Sequence, residues 1–156
     1  MSQSILVIGI GNEYRSDDAA GLLACRLLKA KELQDTLIIE SNGDGVALME
    51  AWETPRRVFL IDTVSSGAKA GTIHRFDVLT QPIPTQLSLQ SSHAFGVAEA
   101  IGLARALHQL PAHLIIYGIE GKNFTAGTSL SQEVESSVQE VVGQMMHEVE
   151  VACRNG

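Results

Sequence analysis

Acidic residues and one histidine follow the apolar runs of this chain in a way that could support metal or hydrolytic chemistry. Asp17 and Asp18 come shortly after the run Ile5 to Ile10, Asp62 directly follows Val58 to Ile61, and His93 stands behind Ser91 and Ser92. Two aspartates and one histidine from three separate segments make a mixed oxygen and nitrogen set. Such a set suits a borderline divalent ion such as Ni, Zn, Mn or Cd and leaves positions open for water or substrate. Asp62 has the strongest individual claim, because a carboxylate at the buried end of a Val-Phe-Leu-Ile strand costs energy unless it is paired or coordinated. The other two have plainer readings. Ser16 can cap a helix whose first turn carries Asp17 and Asp18, worth about 1 kcal/mol, and Ser92 can cap a helix that His93 opens. His74, His108, His113 and His147 have weaker claims, since none belongs to a paired motif such as HExxH.

The stretch Gly9-Ile10-Gly11-Asn12-Glu13-Tyr14 also invites a nucleotide reading. A dinucleotide fingerprint needs a third glycine for close helix packing, and Tyr14 stands there instead. A phosphate at the following helix start would meet Asp17 and Asp18, the wrong charge for the positive end of a helix. Gly9 and Gly11 are therefore expected to turn the backbone off the strand, with no nucleotide bound.

The elements that must position these residues follow from periodicity. Ile5 to Ile10, Leu37 to Glu40, Val58 to Ile61 and Leu114 to Ile119 are short continuous apolar runs, as expected for strands covered on both faces. Helical patterns occupy 17–33, 45–53 and 93–109. In the last helix Val134, Val138, Val141, Val142, Met145, Met146 and Val149 share one face. Thr72 to Phe76 alternates apolar and polar, and lies too close to Asp62 for a parallel crossover, which predicts an antiparallel edge strand. The order predicts an α/β fold: a three-layer α/β/α sandwich with about five strands, mostly parallel and twisted, with one antiparallel edge strand. Ligands in such sheets collect at the carboxyl ends of the strands. Asn12, Glu13, Arg15, Asp17, Asp18, Glu40, Asn42, Asp62 and Glu120 are thus expected on one edge, with His93 brought to them by the helix it opens. The connection from Asp77 to Ser92, long for so small a domain, suits a lid or binding loop.

At 156 residues, 45% apolar and 19% charged, the chain is expected to form one compact domain over 1–156. A net charge of -7 with scattered Lys and Arg argues against nucleic acid and anionic membrane as partners. The opening Met-Ser-Gln-Ser-Ile has no basic stretch, and the apolar run after it is too short for a signal peptide or a membrane span. Cys25 and Cys153, not in CxxC spacing, fit reduced thiols in a cytoplasmic protein.

In combination, "ILVIGIGNEYRSDDAAG", "VFLIDTV" and "SSHAFGV" resemble the NiFe-hydrogenase maturation endopeptidases, in order and at similar spacing over nearly the whole chain. The resemblance implies a cytoplasmic, monomeric peptidase that removes a C-terminal extension from the nickel-loaded precursor of the hydrogenase large subunit. It also implies that Asp18, Asp62 and His93 are both the catalytic and the metal-contacting residues, reading a nickel ion already held by the substrate's cysteines. The metal would either polarise the scissile carbonyl or a water, or only dock the tail while a carboxylate activates water. Ala19 and Ala20 stand where the family often has Gly, Tyr14 replaces an aliphatic residue, and Ser41 to Gly45 replaces a Gly-Thr box, which leaves the particular hydrogenase open. Two other readings share the trio: a metal-binding or chaperone module that docks the precursor without cleaving it, and a peptidase of the same fold acting on another substrate.

Overall fold

The computed structural model describes residues 4–55, 57–82, 88–89 and 93–155. Its strands are β1 (Ile5–Ile10), β2 (Thr36–Ser41), β3 (Arg57–Ser65), β4 (Ile73–Asp77), β5 (Ser88–Leu89) and β6 (His113–Glu120). Its α-helices are α1 (Ala20–Lys29), α2 (Gly45–Ala51), α3 (Val97–Ala106) and α4 (Gln132–Asn155), and a 3-10 turn at Ser16–Ala19 leads into α1. The strand order is β2-β1-β3-β6-β4, with β4 antiparallel to β6 at one edge and β5 added to β3. The expected mostly parallel sheet with an antiparallel edge strand is what forms, and the two-residue β5 is an addition the sequence pattern does not announce.

Alternation along the strands sends each apolar run to two cores. Ile5 and Val7 join Phe59, Ile61, Tyr117 and the inner faces of α1 and α4. Leu6, Ile8 and Ile10 join Leu60, Ile116, Trp52 and the inner face of α3. A sheet buried on both sides explains why its central strands read as unbroken hydrophobic stretches. The apolar stripe of α4 packs as its spacing predicts, with Val134, Val138, Val141, Val142, Met145 and Val149 all buried.

Two features set up the candidate site. The chain leaves β1 for β2 on one side and later crosses to β3 on the other, so strand order reverses between β1 and β3, where α/β sheets open a crevice. β3 also outruns its neighbour. Its pairing with β1 ends at Gly9 and Ile61, yet β3 continues to Ser65, pairing with β6 on one side and β5 on the other. Asp62 therefore lies inside β3, opposite Gly118 of β6, and the expectation that the strand ends there is corrected.

Gly9 and Gly11 act differently from expected. Neither carries the positive φ that a glycine-dependent turn would require. A Cβ on Gly9 would come within 2.3 Å of the Gly21 carbonyl oxygen, and one on Gly21 would meet the Ile61 carbonyl oxygen at 2.3 Å. These glycines let α1 lie against the ends of β1 and β3, the role that the third glycine plays in a dinucleotide loop.

Candidate functional site

Asp18 sits in the 3-10 turn before α1 and is 4% exposed; Asp62 is 0% exposed within β3. Oδ1 of Asp62 accepts from the Thr63 N–H at 2.8 Å. Its Oδ2 and the Oδ1 of Asp18 are buried and find no hydrogen-bond donor among the described residues. Burial raises the Asp18 carboxyl to about 6 despite the nearby Arg15 guanidinium. Asp62 is raised well above the ordinary carboxylate range, first by burial and then by the like charge of Asp18, with the Thr63 N–H opposing. Two buried carboxylates with donor-less oxygens, each in the other's field, are costly unless a proton or a cation joins them.

His93 lines the same cleft as Asp18, a space of about 390 Å³ whose walls also carry Asn12, Arg15 and Asn42. It does not open a helix. α3 starts at Val97, four residues later, and the N–H of Gly96 donates to the Glu99 carboxylate at 2.9 Å. The predicted cap Ser92, its neighbour Ser91 and half of the 77–92 connection lie outside the described residues. The cleft thus gathers Asp18 and His93, with Asp62 buried behind. The three do not stand as a preassembled ligand set: among the described residues no three His, Cys, Asp or Glu side chains are close enough to hold one ion.

Asp17 departs furthest from expectation. It does not serve the helix dipole. Its carboxylate accepts from the backbone N–H groups of Lys122, Asn123 and Ser131 at 2.7–2.9 Å and from the Ser131 hydroxyl at 2.9 Å. Burial pushes its pKa up, but these donors outweigh burial and the net shift is downward. Nor does Ser16 cap α1. It takes φ 53°, its N–H donates to the Gly127 carbonyl, and its hydroxyl donates to the Thr125 carbonyl at 2.8 Å. The Thr63 hydroxyl reaches the Asp17 carbonyl at 2.9 Å. Residues 14–17 are thus stitched to the β6–α4 connection, which holds Asp18 at the mouth of the crevice. The partners of Asp17 lie more than a hundred residues away in sequence, so no local pattern could signal this role.

The other acids predicted to converge are occupied. Glu120 accepts from the Ser66 N–H at 2.8 Å and hydroxyl at 2.6 Å, and meets His74 Nε2 at 3.1 Å. Glu40 receives Arg26 through two contacts, at 2.9 and 3.1 Å, and Glu13 shares that guanidinium at 3.4 Å. Arg15, grouped with the acids at the sequence level, is the cation beside Asp18. Cys25 is buried against Gly9 with its thiol pushed up to about 12 by burial and the Glu40 charge, which leaves it inert as a nucleophile. No α-helix among the described residues is long and apolar enough to cross a membrane.

Known proteins resemble this chain in sequence and in fold. The sequence model of the HycI hydrogenase maturation protease family matches residues 23–148, a span that contains Asp62 and His93 and begins past Asp18. The hydrogenase expression/formation protein HupD of Thiocapsa roseopersicina is 26% identical over 118 residues, covering 74% of this chain. The match spans 53% of that HupD, so the chain covers about half the length of this relative. Among solved structures, the [NiFe] hydrogenase maturation protease HybD from Thermococcus kodakarensis superposes with a TM-score of 0.74 at 26% identity, over 93% of this chain and 98% of that one. The hydrogenase maturating endopeptidase HybD from E. coli shares the fold, with a TM-score of 0.75 at 18% identity over 95% and 93% of the two chains. With the family's sequence pattern running across most of its length and the same sheet beneath its buried acids, the chain belongs to the hydrogenase maturation protease family.

Proposed function

We propose that this chain is an endopeptidase that removes the C-terminal extension of a nickel-loaded NiFe-hydrogenase large-subunit precursor. Asp18, Asp62 and His93 recognise the nickel that arrives with that substrate. The carrying observation is the pair of donor-less buried oxygens on Asp18 and Asp62, behind a cleft that His93 also lines. With no donor among the described residues, such oxygens are prepared for a cation or a proton. Two carboxylates and one imidazole are too sparse a set for tight closed binding by themselves, so the remaining ligands of the ion come with the substrate.

Asp18, which lines the cleft and has an oxygen free of donors among the described residues, can take a proton from water. The water oxygen then bonds to the scissile carbonyl carbon. Asp18 returns the proton to the leaving nitrogen as the C–N bond breaks, giving a free carboxylate and a free amine. Asp62, buried behind it, carries negative charge only where the substrate's cation offsets its burial. The family relation supports the reaction class, and the site supports the residues.

The test is incubation of the protein with nickel-loaded and nickel-free precursor, followed by mass spectrometry of the C-terminal tail. Loss of the tail from the loaded form alone is expected. Binding of the loaded precursor without tail loss would instead establish a non-cleaving docking module.

A further inference from the structure

A second cleft, of about 740 Å³, lies between α2 and α3 on the sheet face opposite α1 and α4. The buried Trp52 lines it together with Val46, Met49, Phe95, Leu103 and Leu110. Val46 is 55% exposed and Leu103 42%, an apolar surface left open to water. The charged residues of this lining are Glu50 and Glu53, with no Lys or Arg among them.

The groove and the candidate active site share one wall. Phe95 lines the groove and His93, two residues earlier, lines the cleft that holds Asp18. The start of α2 locks this wall in place. The Gly45 N–H donates to the Phe95 carbonyl at 2.9 Å, and a Cβ at Gly45 would stand 2.4 Å from the Phe95 ring. A polypeptide seated along α2 and α3 therefore enters the catalytic cleft within a few residues, each spanning about 3.3 Å when extended.

We propose that the α2–α3 groove docks an apolar segment of the cleaved precursor that carries Lys or Arg residues. The apolar lining takes the segment's buried face, and Glu50 and Glu53 at the groove select its cations. This rests on the proposed processing of a precursor and adds a contact remote from the scissile bond. Such contacts contribute binding energy without touching the reacting atoms.

The single tryptophan of the chain gives a direct readout. Protein labelled with 5-fluorotryptophan has one fluorine resonance, from Trp52, which moves when the groove fills. Addition of unlabelled nickel-loaded precursor is expected to shift it. The Val46→Glu/Leu103→Glu variant is expected to keep the resonance position of the free protein, to bind precursor at least tenfold more weakly, and to cleave bound precursor within twofold of the wild-type single-turnover rate. Glu50→Lys/Glu53→Lys is expected to weaken binding as well and to flatten its dependence on salt. A Trp52 resonance that stays put while the wild type cleaves the precursor overturns the groove and leaves the processing reading standing. A resonance that moves without any tail being lost keeps the groove and overturns the processing reading.

Discussion

Asp17 and Asp18 are adjacent, equally withdrawn from water, and opposite in chemical state. Asp17 faces the β6–α4 connection, where four donors meet its carboxylate and hold its pKa down. Asp18 faces the crevice between β1 and β3, keeps one oxygen without a donor among the described residues, and has its carboxyl raised to about 6. Glu120, at the end of β6, and Asp62, inside the neighbouring β3, repeat the contrast: the first is saturated by Ser66 and His74, the second is left half satisfied among the described residues. The difference separates two uses of a buried acid. One that receives donors holds the fold together. One that is denied them carries a standing cost, and a site keeps such a cost when the missing partner is what it exists to bind.

The largest effect should come from the unsatisfied pair. Asp18→Asn and Asp62→Asn are each expected to slow precursor processing by about a thousandfold or more, as loss of a general base or a metal contact does. Urea denaturation at pH 7 should show no loss of stability, since each change removes a carboxyl whose burial outweighs the contacts that oppose it. A variant that unfolds would place its aspartate with Asp17 and break the distinction.

The next effect is the converse. Asp17→Ala strips four hydrogen bonds from one carboxylate and leaves three backbone donors without their acceptor, and should cost about 3 kcal/mol in urea denaturation. Processing per folded molecule should fall much less than in Asp18→Asn. Equal stability of Asp17→Ala and wild type would mean that the β6–α4 connection holds itself.

Much of this architecture was legible in the chain because it rests on short-range pattern. The continuous Val and Ile runs, the stripe of α4 and the alternation of Thr72 to Phe76 report burial directly, and they predicted the layers and the antiparallel edge. Asp62 could be singled out because a charge after an apolar run has few cheap explanations. Partnership was not legible. The donors of Asp17 come from residues 122–131, so "RSDDAA" read locally suggests a helix cap that the fold does not use. The overhang of β3 past β1 was equally hidden, because it depends on the register between strands and not on either strand alone. His93 reaches the cleft from a segment four residues ahead of α3, held by Phe95 against Gly45, a packing relation that helical spacing could not show.

The smallest effect, and the sharpest on the comparison, is in the pH dependence of stability. The Asp18 carboxyl stands at about 6 in the folded protein, against an ordinary value near 3.9 in an unfolded chain. A raised folded value means that the contribution to stability is fully present below about pH 4 and is lost as pH rises through about 6. Asp62 shifts in the same direction and extends the loss upward. Asp17 works the other way, because its lowered value gives stability above about pH 4 that disappears only on further acidification. Between pH 5 and 7 Asp17 is therefore silent, and the unsatisfied pair sets the carboxylate slope. Without precursor, the free energy of unfolding should fall by about 1 kcal/mol across this interval from Asp18 alone, and by more with Asp62 included. The measurement is the difference between wild type and Asp18→Asn/Asp62→Asn at matched ionic strength, which isolates these two carboxyls. If the two curves run parallel from pH 5 to 7, both aspartates have found partners in solution, and the contrast between the two kinds of buried acid fails.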